Sequence, residues 1–225
     1  MTVNNIVSNH QVFTSLNSSK VEAILQAGST INYKKNDIIT HAGDIWPYLF
    51  IVVSGSVMAV KESPEGRSLI VEHFNSGDLF WGLAFFQEKA PMPATLVAHK
   101  ASRLYLWNIE TLKSFILANG PFSWELSRLM VTRLLRASEI LEEIAFQPVA
   151  GRLARLLINL YQQENNPQIE RALTLDEMAA RINSTREMVC RLLHRFSEDQ
   201  AIDITRTSFR IKDVSVLEKY TEKVK

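Results

Sequence analysis

At 225 residues, 46% of them hydrophobic and 22% charged, the chain can hold one large domain or two modest ones with packed cores. No apolar run reaches the roughly 20 residues needed to cross a bilayer, and the opening MTVNNIVSNHQVF lacks a basic-then-apolar signal pattern, so a cytoplasmic location with no membrane partner is expected. One cysteine, Cys190, excludes an internal disulfide framework and a cysteine-rich metal site within one chain, and a net charge of +1 is neutral toward nucleic acid.

Between residues 31 and 107, period-2 alternation and β-branched residues recur in INYKKNDIITHAGD, YLFIVVSGSVMAVKE, SPEGRSLIVEHF, NSGDLF and ATLVAHKASRLYLWN. Ala42-Gly43-Asp44, Ser54-Gly55-Ser56, Glu65-Gly66-Arg67 and Ser76-Gly77-Asp78 punctuate them as turns, the spacing of a small antiparallel barrel or roll closed around a pocket. Residues from about 121 to 146 form one long helical pattern without internal glycine or proline. Met130, Leu134, Ala137, Leu141 and Ile144 fall at spacings of four, three, four and three, a heptad seam. Leu126, Leu129 and Ile140 widen the stripe, so one face suits the chain's own roll and another a partner helix. Pro148 interrupts the pattern, VAGRLARLLINLYQQ starts a new amphipathic helix, and ENNPQIE, residues 164–170, reads as a polar surface loop.

ALTLDEMAARIN, residues 172–183, is a short helix opened by a Thr174/Glu177 capping box. Asn183 and Ser184 then leave room for a tight turn, since asparagine tolerates the left-handed backbone. In NSTREMVCRLLHRF, residues 183–196, Met188, Val189, Leu192, Leu193 and Phe196 fall on one helical face and Arg186, Glu187, Cys190, Arg191 and His194 on the other. Ser184 and Thr185 are the N-cap candidates, and Ser184-Thr-Arg-Glu187 matches a capping box. An ordinary surface helix with a Glu187–Arg191 pair would explain part of this face. The order of elements points further: IDITRTSFRI reads as a hairpin around Thr207-Ser208 with Ile202, Ile204, Phe209 and Ile211 packing inward, giving helix, turn, helix, wing. An arginine fork matches guanine O6 and N7, and glutamate accepts from cytosine N4, so Arg186, Glu187 and Arg191 suit a G·C-containing core. His194, Arg195, Arg206 and Arg210 are phosphate candidates.

LTLDEMAARINSTREMVCRLLHRFSEDQAI resembles the winged helix of the CRP/FNR superfamily of bacterial transcription regulators. AGD, YLFIVVSGSV, EGR and SGDLFWG resemble its cyclic-nucleotide-binding-like roll. The resemblance covers the chain except the first twenty or so residues. It implies an α+β fold with an N-terminal antiparallel β-roll, double-stranded β-helix-like, then a long dimerisation helix and a C-terminal winged helix-turn-helix. The expected divisions are 1–120, 121–146 and 147–225. It implies a non-enzymatic homodimer on double-stranded DNA with a palindromic operator, Thr185 and Cys190 joining the base-facing set. The Arg-Glu-x-x-x-Arg pattern is shared with cyclic-AMP-receptor-type members, so a TGTGA-like half-site is expected. Family members usually carry glycine at the position of Asn183, serine or glycine at Cys190 and glycine at Ala201; the departures leave the helices intact. Residues 164–170 match in position a loop that in some relatives touches RNA polymerase, and a plain surface loop fits equally.

A cyclic phosphate buried in a roll needs a cation, and its ribose an acceptor. Nucleotide-binding relatives supply a Gly-Glu pair and an Arg-Ser pair; here Gly82 precedes Leu83, and Pro93-Ala94 stands where Arg-Ser is expected. The effector candidates are Phe80, Trp81, Gly82, Leu83, Pro93, Ala94 and Thr95; Phe80, Trp81, Leu83, Phe85 and Phe86 make the segment apolar, which disfavours cAMP and leaves an unidentified small molecule or none. An iron-sulfur sensor needs several cysteines per cluster and is disfavoured. Haem stays open, because the Pro-Ala-Thr segment resembles that of haem-dependent nitric-oxide-sensing relatives and His41, His73, His99 or Met58 could serve as axial ligands. Two other classes stand beside the regulator: a catalytic or ligand-storing roll, for which no metal spacing, phosphate loop or nucleophile elbow is present, and a protein-interaction module using its winged helix to dock.

Overall fold

Alternation within YLFIVVS decides the architecture of the N-terminal half. In the computed structural model, strand β3 (Tyr48–Ser54) sends Leu49, Ile51 and Val53 into one apolar cluster and Phe50 and Val52 into another. A strand buried on both faces reads as an unbroken hydrophobic run, as this one does. The structure describes residues 2–64, 66–164, 168–170, 173–205 and 208–221; the side chains of 163–164, 168–170 and 208 lie outside that description.

Two four-stranded sheets form the roll. β1 (Ser29–Tyr33), β8 (Ser102–Asn108), β3 and β6 (Leu79–Trp81) lie in that order in one, and β2 (Ile38–Thr40), β7 (Thr95–Ala98), β4 (Ser56–Glu62) and β5 (Ser68–Asn75) in the other. Phe50, Val52, Leu104 and Leu106 from the first sheet meet Val57, Ala59, Phe74 and Leu96 from the second, filling the space between. On its outer face the first sheet packs against helices. α1 (Val3–Asn9) and α2 (Ser18–Gln26) bring Ile6, Val7, Val21 and Ile24, and α4 (Gly120–Phe146) brings Phe122, Leu126 and Leu129 onto Leu49, Ile51 and Trp107. Trp107 donates its indole N–H to the Ile24 carbonyl at 2.8 Å, so the N-terminal helices are tied in as well as packed. Gly43, Gly55, Gly66 and Gly77, the turn glycines of the sequence, all adopt positive φ.

The chain forms two compact units, one of residues up to Lys61 together with Val71–Arg136, the other of Glu62–Ile70 together with Ala137–Lys225. α3 (Ile109–Ala118) leads into α4, whose residues are shared between the units at Arg136. In the second unit, α5 (Val149–Glu164), α6 (Leu175–Arg181), α7 (Arg186–Glu198) and α8 (Val214–Thr221) surround a core of Leu153, Leu157, Met178, Val189, Leu193, Phe196 and Leu217. β10 (Ile202–Ile204) and β11 (Ser208–Ile211) form the wing hairpin with Ile202 opposite Ile211 and Ile204 opposite Phe209. The α+β architecture of roll, long helix and winged helix-turn-helix is therefore the one expected.

Two local readings need correction. Residues 168–170 are not loop but strand β9, pairing antiparallel with β11 at Phe209–Ile169, so the wing has three strands. A three-residue strand offers too little period to announce itself, and its stability comes from the hairpin it joins. Thr185, and not Ser184, caps α7, its hydroxyl accepting from the Met188 N–H, so the Ser184–Glu187 box does not form. Ser184 is committed elsewhere: its backbone N–H closes the end of α6 on the Ala179 carbonyl at 2.9 Å.

Candidate nucleic-acid interface

The turn between α6 and α7 is a Schellman arrangement. Asn183 takes the left-handed conformation (φ 49°) one residue past the Ile182 cap, and the Ser184-to-Ala179 bond is its 6→1 closure. α7 ends the same way. Gln200 is left-handed (φ 61°), the Ala201 N–H returns to the Phe196 carbonyl at 2.9 Å, and Ala201 is buried beside Phe196. The strained position here is Gln200, so alanine at 201 meets no backbone penalty. At the other end of α6, Thr174 and Glu177 complete the capping box, Thr174 accepting from the Glu177 N–H at 3.1 Å and Glu177 from the Thr174 N–H at 2.7 Å.

Arg152, on α5, braces this turn. Its Nε donates to the Ile182 carbonyl at 2.8 Å, its Nη2 to that of Asn183 at 3.4 Å, and its Nη1 to those of Gln147 at 2.7 Å and Ile144 at 3.3 Å. Burial pushes its pKa down, with Glu143 opposing. Sequence reading missed this residue, because a lone arginine in an amphipathic helix carries no sign of the carbonyls it will meet.

With the turn fixed, α7 buries Val189, Leu192, Leu193 and Phe196 and half-buries Met188, while Thr185, Arg186, Glu187, Arg191 and His194 are exposed and Cys190 half-exposed. The predicted face is thus assembled on one helix. The Glu187 carboxylate is held below the usual range by its own backbone N–H, the Thr185 hydroxyl and the adjacent Arg186, so it is an ionised acceptor at neutral pH. Arg186 Nη1 lies 3.1 Å from an Asp176 carboxylate oxygen on α6, and Arg191 Nη2 lies 3.4 Å from the Met188 sulfur. Arg195 is exposed too, and its guanidinium sits over the Tyr220 ring at 5.3 Å, on the flank toward α8. Arg210 is exposed on β11, and Arg206 lies outside the described residues.

The effector residues are not brought to one lining. β6 alternation places Phe80 beside the inter-sheet cluster and Trp81 in the helix-facing one. Leu83 and Pro93 are exposed, Ala94 is buried between the sheets, and Thr95 accepts the Ala42 N–H at 3.1 Å. Gly82 is pressed on the loop before β3, where a Cβ would stand 2.0 Å from the Trp46 carbonyl oxygen. Phe74 and Phe80 lie 4.4 Å apart, Phe50 and Trp46 at 5.5 Å, and the Arg133 guanidinium, paired with Glu72 at 3.2 Å, covers Phe74 at 5.4 Å. Of the haem-ligand candidates, His41 is exposed, Met58 half-buried, and His73 and His99 meet edge-on at 5.4 Å. Among the described residues, no group of three or more His, Cys, Asp or Glu is placed to hold a metal ion, and no helix is long and apolar enough to cross a membrane.

Along α4, Met130 packs on its own roll core and Ile144 is half-buried, whereas Leu134, Ala137 and Leu141 are exposed.

The cyclic nucleotide-binding domain family matches residues 30–119, and the Crp-like helix-turn-helix domain family matches residues 151–220. The chain is 29% identical over 172 residues to the cAMP-activated global transcriptional regulator CRP of Salmonella typhimurium, spanning 75% of this chain and 81% of that one. It is 24% identical over 213 residues to the CRP-like cAMP-activated global transcriptional regulator of Mycobacterium tuberculosis, with 92% and 95% coverage. In fold it is similar to a transcriptional regulator of the CRP/FNR family from Eubacterium rectale, at TM-score 0.77 and 24% identity over 94% of this chain and 97% of that one. It is also similar to the c-di-GMP responsive global regulator CLP of Xanthomonas campestris, at TM-score 0.77 and 20% identity over 88% and 100%. These relatives are regulators, and together with the two domain matches they support one assignment, a regulator of the CRP/FNR family.

Proposed function

We propose that the protein works as a cytoplasmic homodimer that reads a palindromic operator with α7 in the major groove, one half-site per protomer. The observation that carries this reading is the outward face of α7. Arg186, Glu187 and Arg191 are exposed together on a helix whose other face packs into the core. Arg186 and Arg191 are assigned to guanines and Glu187 to a cytosine, giving a TGTGA-like half-site. His194 and Arg210 serve phosphates, and Arg195 does so less directly, since it stacks on Tyr220. We read residues 1–120 as the sensing part, 121–146 as the dimer helix and 147–225 as the DNA-binding part. Binding that is specific in sequence and falls steeply with salt is the expected behaviour. Equal affinity for the selected site and for unrelated DNA of the same length would refute the assignment.

Among the relatives named above two are cAMP-activated and one is c-di-GMP responsive, so the likeness leaves the effector open. For this chain cAMP fits poorly. Leu83, Pro93 and Ala94 supply neither a cation nor a ribose acceptor, the inter-sheet space is filled by Phe50, Phe74 and Phe80, and the nearby Arg133 is engaged by Glu72. Calorimetric titration with cAMP should give no saturable heat at low-micromolar concentration. Saturable binding there would overturn the exclusion and restore a nucleotide-gated mechanism.

A further inference from the structure

We propose that Asp176 is a positioning residue for base recognition, holding the Arg186 guanidinium by Nη1 so that its Nε–Nη2 edge is left for a guanine; this rests on the reading that α7 faces base edges. Asp176 lies in the first turn of α6, ten residues before Arg186, and the two side chains meet at 3.1 Å on an otherwise solvated surface. The backbone that carries the two side chains is held at both ends of the contact. The Thr174/Glu177 box fixes the turn that carries Asp176, and the Asn183–Ser184 closure fixes the entry into α7. Glu187, the nearer carboxylate in sequence, feels Arg186 through its charge, whereas Asp176 accepts a hydrogen bond from it.

Arginine presents five donors in a rigid fork, and guanine needs two of them side by side. A contact through Nη1 alone leaves that pair intact. An unsupported arginine explores many rotamers and loses this freedom on docking, whereas one already held in place loses less. The same carboxylate stands near the phosphates once α7 is in the groove, where it disfavours DNA of any sequence. Asp176 therefore increases discrimination at the guanine while adding nothing to general affinity.

The test uses the full-length protein, its selected operator, operators substituted at each position, and an unrelated duplex. Arg186→Ala identifies the guanine by the position at which preference relaxes. At that position Asp176→Asn should lower the preference for guanine about two- to fivefold, the range of an exposed ion pair. Affinity for the unrelated duplex should stay constant or rise, and Asp176→Glu, which keeps the carboxylate, should retain the preference. A purely structural role in the first turn of α6 would instead lower the melting temperature and weaken all duplexes alike. Unchanged preference at that position in Asp176→Asn overturns the inference while leaving base reading by Arg186 intact. So does a gain confined to the cognate operator, which would make Asp176 a competitor of DNA. If Arg186→Ala alters preference nowhere, base reading by Arg186 fails and the inference falls with it.

Discussion

Arg152 gathers carbonyl groups from two stretches of chain, Ile144 and Gln147 at the end of α4 and Ile182 and Asn183 at the helix-turn-helix corner. Those carbonyls belong to helix ends, which have no partner within their own helix. Removing the guanidinium leaves several of them short of a donor at once. Arg152→Met should lower unfolding stability by about 2 kcal/mol, read as a lower urea midpoint at unchanged slope. Arg152→Lys should recover only part of the loss, because an ammonium group cannot span the same set as a planar fork. An unchanged midpoint would show the bonds to be incidental. At this scale sequence is a partial guide. Asn183 in the left-handed turn, the Thr174/Glu177 box and the division of α7 into two faces are legible, because each depends on a residue's own conformational preference or on helical period. Arg152, Asp176 and the choice of Thr185 over Ser184 as cap are not, since each depends on which distant backbone group arrives nearby.

Among the elements, α4 carries the clearest unfinished surface. Leu134 and Leu141, with 69% and 68% of their surface exposed, belong to the expected heptad seam, but Trp124, Val131 and Leu135 are exposed beside them at 67%, 56% and 60%. An exposed row with heptad spacing runs through Trp124, Ser127, Val131, Leu134, Ser138, Leu141 and Ala145, one step around the helix from a seam through Met130, Ala137 and Ile144. The sequence pattern cannot separate these, because the same helix also packs Leu126, Leu129 and Met130 on the roll, and the two stripes merge into one broad apolar face. The two registers differ in what single changes do. Val131→Glu, like Leu134→Glu combined with Leu141→Glu, should give monomers by sedimentation at micromolar concentration while leaving the roll folded. Met130→Ala should leave the dimer and lower stability by about 1 to 2 kcal/mol, less than for a fully buried methionine because Met130 is only partly buried. Monomers from Met130→Ala with dimers from Val131→Glu would return the seam to its first register. Other elements had little to declare them. β9 is three residues long, and α1 and α2 fall where the resemblance ends, although Asn17 ahead of Val21 and Ile24 is a usable cap signal: its side chain accepts from the Lys20 N–H at 3.0 Å.

For the whole molecule, a net charge of +1 supplies little bulk attraction to DNA, so the proposed operator binding has to come from the local arrangement of α7 and the wing. A single half-site then offers only part of the contact energy, so the proposed binding requires two copies on a two-fold site. Binding-site selection from random duplex DNA with the full-length protein tests this most directly. Enriched sites should have two-fold symmetry, each half carrying a TGTGA-like core and the two halves about one helical turn apart. Enriched sites without two-fold symmetry, or no enrichment above the input DNA, would contradict the proposed binding.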